Sequence, residues 1–140
     1  MNILTTLIAT SSPASRRQQM EAFLDGLFRG EIDPGELFTR DYQQVSDGHS
    51  LDYPGFLRHL SHVRQQVSRI AFRVEQVCCD DTLLADRHIV SLVHQDGKQT
   101  RIEVCMFAQL RAGKICQIDE VTRVLCGDPA DRALAHATEA

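Results

Sequence analysis

The chain has no tryptophan, two tyrosines, no C-x-x-C pair, no run of basic residues and no apolar stretch approaching the length of a membrane span. Each absence closes off a class. A spanning helix needs about 20 consecutive apolar residues, and the apolar start from Ile3 to Ala9 is interrupted by Thr5 and Thr6 and lacks a positively charged lead, so it makes a poor signal peptide. Fifteen Lys and Arg stand against nineteen Asp and Glu, a formal net charge of -4. With no basic cluster there is no electrostatic basis for holding a phosphate backbone, and nucleic acid is not expected as a partner. Cys78, Cys79, Cys105, Cys116 and Cys126 are odd in number and lack metal-finger spacing, which argues against a disulfide framework or a structural zinc. Reduced thiols in a cytoplasmic protein are the simpler expectation. No local ligand pair such as H-x-x-x-H supports a metal site, and no cofactor motif is present.

What is there fits one domain of 140 residues with 43% hydrophobic content. Residues 1–13 end in Ser11, Ser12 and Pro13 and read as a flexible N-terminal arm. From Ala14 to Arg29, Met20, Phe23, Leu24, Leu27 and Phe28 recur at helical spacing, with Gly30 placed as a C-cap. Glu36 to Thr39 suit one more helical turn, and Asp41 to Ser46 a short strand stopped by Asp47-Gly48. Asp52 can cap a second helix with Pro54 in its first turn; Phe56, Leu60, Val63 and Val67 mark its buried stripe, with His59 beside the stripe and His62 away from it. The period then changes. Ile70, Phe72 and Val74 alternate with Ala71, Arg73 and Glu75 as in a strand, and Thr82 to Leu125 holds three more strand-like runs joined at Asp96-Gly97 and Ala112-Gly113. The domain is placed at residues 14–127, and residues 128–140 as a C-terminal tail or short helix.

If both of those turns are two-residue hairpins, Gln95 lies opposite Lys98 and Arg111 opposite Lys114. Counting back puts His88 opposite Cys105 and Cys105 opposite Glu120, one row on one face. Arg101, Glu103, Phe107 and Thr122 fall on that same mixed face. The other face of the central strand, Ile102, Val104, Met106, Ala108 and Leu110, is wholly apolar. By the ordinary rule it belongs in the core.

This order of elements, with Gly30-Glu31 closing the first helix and Gly113-Lys114-Ile115 opening the last strand, resembles the NTF2-like superfamily and, within it, the SnoaL-like and ketosteroid-isomerase-like proteins. The resemblance covers roughly residues 16–125. It implies an α+β roll in which a curved, cone-like antiparallel sheet wraps N-terminal helices around a pocket, with homodimerisation through the outer face of the sheet. It also assigns the apolar face of the central strand to the dimer interface and the mixed face to the pocket, the reverse of the ordinary rule.

The family's general-base carboxylate matches Asp47. Its phenolic oxyanion donor falls at Phe23 and its carboxylic-acid donor at Cys105, neither of which can take that role well, so steroid isomerisation is not expected. A SnoaL-like acidic residue matches Glu120. The resemblance and the residues together imply a protein that binds a small organic ligand and carries out acid–base chemistry of an isomerase, cyclase, hydratase or hydrolase kind with Asp47, His88 and Glu120. Tyr53, His59, Arg101, Glu103, Cys105, Phe107 and Thr122 are the expected ligand contacts. The alternative is a non-catalytic binding or dimerisation module of the same fold.

Overall fold

The structure, a computed structural model, describes residues 2–138; Met1 and the last two residues of the expected tail lie outside it. Four helices and six strands follow in the order α1 (Ile3–Ala9), α2 (Pro13–Arg29), α3 (Pro34–Leu37), β1 (Phe38–Ser46), β2 (His49–Asp52), α4 (Tyr53–Gln66), β3 (Val67–Cys79), β4 (Leu83–His94), β5 (Gln99–Arg111) and β6 (Lys114–Cys126). A 3-10 segment, Pro129–Ala135, closes the chain. Among the described residues no helix is long and apolar enough to cross a membrane.

The strands form one curved sheet in the order β2-β1-β6-β5-β4-β3. Every pairing is antiparallel except β1 with β6, which is parallel. Bulges in the β3–β4 and β5–β6 ladders bend the strands. The helices lie against the concave side. Met20, Phe23, Leu24 and Leu27 of α2 and Phe56, Leu60 and Val63 of α4 face Val104, Met106 and Ile118 across a single apolar core.

Local chemistry explains most boundaries. Ser12, Asp33 and Asp52 each accept a backbone N–H of the first helical turn, with Pro one or two residues further on at a position that needs no donor. Gly30 ends α2 at φ 76°, in the left-handed region where a side chain would be strained. Three expectations change. Within the expected arm, residues 2–13 are not loose: α1 is a helix whose Leu4 and Leu7 are fully buried, and burial of each such side chain contributes about 1.5–3 kcal/mol towards ordering the segment. The i, i+3 spacing of those leucines was the signal. A short strand, β2, precedes α4 where none was expected, and His62 is buried as well as His59.

Candidate functional site

The loop between β4 and β5 is one residue longer than a two-residue hairpin. Gly97 N donates to His94 O and His94 N to Lys98 O, around Gln95-Asp96-Gly97 with Gly97 at φ 88°. Three-residue loops of this kind use glycine at the left-handed position. His88 therefore pairs with Val104, not with Cys105. At the next corner Arg111 does pair with Lys114, but a bulge at Cys116 shifts everything beyond it, so that Glu120 pairs with Met106 and Cys105 with Val121. A shift of one residue moves a strand's side chains to the opposite face. Two separate shifts thus move both outer strands relative to β5, and His88, Glu120 and Thr122 share the inner face with Val104 and Met106.

That geometry corrects the expected row. Arg101, Glu103, Cys105 and Phe107 lie on the outer face, away from the cavity, with Phe107 54% exposed. The apolar set from Ile102 to Leu110 is core, as the ordinary rule requires, and not a subunit interface. Tyr53 is half-buried at the start of α4 and packs at the edge of the core without lining the cavity.

Between α2, α4 and the concave sheet is a cavity of about 90 Å³. Its walls are almost wholly apolar, and its polar lining consists of Gln44, His59, His88 and Glu120. It can hold several waters or a compact organic group.

Glu120 ends a chain of hydrogen bonds along the inner face of β1. Tyr42 Oη donates to Gln44 Oε1 at 2.9 Å, Gln44 Nε2 to Ser46 Oγ at 2.9 Å, and Ser46 Oγ to Glu120 Oε1 at 2.6 Å. All donors point one way and finish on the carboxylate. Burial pushes the Glu120 carboxyl up to about 7, against the opposing effects of the Ser46 hydrogen bond and nearby His88. The side chain retains some accessible surface on the cavity side, while its carboxyl is enclosed by protein. Burial of Tyr42, reinforced by the charge of Glu120, holds its phenol well above the ordinary value, so it stays a neutral donor.

His88 is buried on β4 with Asp86 two residues before it on the same face; Asp86 Oδ2 is 2.8 Å from His88 Nδ1. A carboxylate on Nδ1 orients the ring and leaves Nε2 as the working nitrogen. His59, also at the cavity, bonds through Nδ1 to Ala137 O at 2.8 Å, and burial pushes its pKa down to about 4, so it is neutral.

Asp47 is committed elsewhere. It accepts from Thr122 N at 2.8 Å and from Thr122 Oγ1, and pairs with Arg132 Nη2 at 2.9 Å. Burial raises its pKa, but the Arg132 and Thr122 hydrogen bonds outweigh that and hold it below the usual carboxylate range. It does not line the cavity and instead anchors the C-terminal strap. The strap is fastened again where Thr100 Oγ1 donates to Asp131 Oδ2 at 2.6 Å and where His136 stacks on His49 at 3.8 Å, and its Leu134 and Ala135 reach the cavity wall. Among the described residues no group of three His, Cys, Asp or Glu is placed to hold a metal ion.

Sequence reasoning missed Tyr42, Gln44, Ser46 and Asp86. The signal was available. Polar residues at i, i+2 and i+4 on a strand share a face, as do Asp86 and His88.

No family model matches the chain. Solved structures with the same architecture include AclR, a putative hydroxylase from Streptomyces galilaeus, at 14% identity with a TM-score of 0.66, covering 91% of this chain and 89% of that one. A SnoaL-like polyketide cyclase from Agrobacterium tumefaciens is 17% identical with a TM-score of 0.63 over 80% and 92% of the two chains. An NTF2-like protein from Anabaena variabilis is 18% identical with a TM-score of 0.61 over 91% and 93%. At such identities the likeness concerns the fold, which is the NTF2-like fold of SnoaL-like proteins. In sequence the chain is 35% identical over 119 residues to an uncharacterized protein of Schizosaccharomyces pombe, C11D3.04c, covering 84% of this chain and 90% of that protein. The chain belongs to one family with that yeast protein, and its fold is NTF2-like.

Proposed function

We propose that the chain binds a small, largely apolar organic molecule in the cavity and moves a proton on it, with Glu120 as the base and His88, oriented by Asp86, as its acid partner. The observation that carries this is Glu120 itself: a carboxyl at the end of a buried donor chain, facing an apolar cavity, with a pKa of about 7. A group titrating near the working pH is half available as base and half as acid. His88 lines the same cavity with its Nδ1 held by Asp86, which leaves Nε2 to act as the electrophile that Phe23 and Cys105 cannot supply. That the fold's relatives include a SnoaL-like cyclase and a putative hydroxylase supports chemistry on small organic molecules. Asp47 in this reading is an anchor and not a second base.

The test is exchange of α-protons of cyclopentanone and cyclohexanone for deuterium in buffered D₂O near neutrality, followed by NMR. The protein should accelerate exchange, and Glu120→Gln should lose about a hundredfold of that rate, the usual share of a general base. Equal rates for the two proteins would sink the assignment.

A second reading, a binding module without chemistry, is favoured by the small cavity and by the strap fastened beside it. It predicts binding of the same ketones with no exchange. The five free thiols support a reducing compartment, the cytoplasm.

We further propose a homodimer through the outer sheet face, where Phe107 and Val121 are 54% and 62% exposed on neighbouring strands. Large apolar groups grouped in this way favour a protein contact. Val121→Lys should reduce the molar mass measured by light scattering from two chains to one; a single-chain mass for the unaltered protein would end the proposal.

A further inference from the structure

Beside the cavity, where α2 and α4 end and β3 begins, is an open groove of about 590 Å³. Phe28, Val63, Val67 and Ile70 line both spaces, so cavity and groove adjoin at these four side chains. The groove's remaining character is basic, from Arg29, Arg64 and Arg69. In a chain with a net charge of -4 and well-mixed charges, three arginines at one opening stand out.

They are not equally free. Arg29 Nε bonds Asp25 Oδ1 at 2.8 Å, and Asp25 and Glu31 both act on its charge. Arg64 and Arg69 have no carboxylate within ion-pair distance among the described residues. The Arg64 guanidinium lies over Gly30, 3.7 Å from where a Cβ would stand, so the glycine leaves it room at the groove's edge. Both side chains are exposed and can turn towards a ligand.

An apolar chamber holding a titrating carboxyl, next to an open groove with two uncommitted guanidinium groups, is polarised for a ligand of matching polarity. We propose that the ligand is an amphiphilic organic carboxylate, with its apolar body in the cavity and its carboxylate in the groove on Arg64 and Arg69. This rests on the reading of the cavity as the ligand site. Guanidinium forks match carboxylates in geometry as well as charge. Above neutral pH, Glu120 would repel a second carboxylate at the inner end, which leaves the ligand one favourable orientation.

Calorimetric titration with sodium hexanoate and with 1-hexanol at pH 8 and low salt separates body from head group. Hexanoate should bind roughly fivefold to tenfold more tightly than hexanol, the range for two exposed charge contacts. The double variant Arg64→Ala/Arg69→Ala should lose that preference while its hexanol affinity stays the same, and 0.5 M NaCl should shrink the preference in the unaltered protein. Equal affinities for the two probes, or a preference that survives in the double variant, would overturn the carboxylate assignment and leave the cavity standing. Binding of neither probe would overturn the cavity reading and this proposal together.

Discussion

Glu103 and Glu120 are carboxylates on adjacent strands of one sheet, one on each face, and their surroundings are opposite. Glu103, on the outer face, sits between Arg87 and Arg123, each 3.2 Å away. Glu120, on the inner face, has a hydroxyl as its partner and apolar walls around it. The outer group has two guanidinium partners. The inner group must meet the cost of burial with little but a donor chain, and it answers by holding its proton to a higher pH. Within a single β-meander, then, the carboxylate buried without an arginine beside it holds its proton up to about pH 7.

The contrast between faces can be broken most severely through packing. Met106, 3% exposed beneath Glu120, should cost about 2–5 kcal/mol as Met106→Ala, whereas Arg101→Ala on the outer face of the same strand should stay within about 0.5 kcal/mol. Urea denaturation measures both, and similar losses would mean that the two faces are not core and surface.

Titration sharpens it next. The Glu120 carboxyl rises from an ordinary value near 4.5 to about 7 on folding. The stability linked to its proton is therefore full below pH 4.5 and lost as pH rises through 7. Glu120→Gln, which cannot ionise, should match the unaltered protein in stability at pH 4.5 and exceed it at pH 8, by an amount on the order of a few kcal/mol. Denaturation across that pH range checks this; a constant difference would place the carboxyl in an ordinary environment. Glu103→Gln should have a smaller effect than either of those changes on the inner face, a cost of about 1 kcal/mol or less, and leave ketone exchange unchanged.

Elements were more legible in the sequence than their phases. The stripes of α2 and α4 and the caps at Gly30 and Asp52 depend on neighbours a few residues away, and the chain spells them out. Alternation along each strand was equally plain. The relation between strands was not, because it depends on whether a corner holds two residues or three and on a bulge that leaves no mark in composition. His88 and Glu120 were found as inward candidates, but beside Cys105 instead of Val104 and Met106. Asp47 was legible as a turn residue, while its bond to Arg132 spans the length of the domain in sequence and has no local signature. The shared face of Tyr42, Gln44 and Ser46 could be read from their spacing, but its end on Glu120 required knowing that β1 lies beside β6 in parallel, a long-range pairing.

The bulge at Cys116 also bears on how members of this family are to be compared. It holds one residue more than the ladder requires, so removing that residue would regularise the corner and leave Met106 opposite Glu120 as before. Chain length at this corner can thus vary by one without altering what enters the cavity. An alignment that opens its gap at Cys116 keeps the carboxylates in correspondence; one that opens it after Glu120 would match this residue to the wrong side of another protein's sheet.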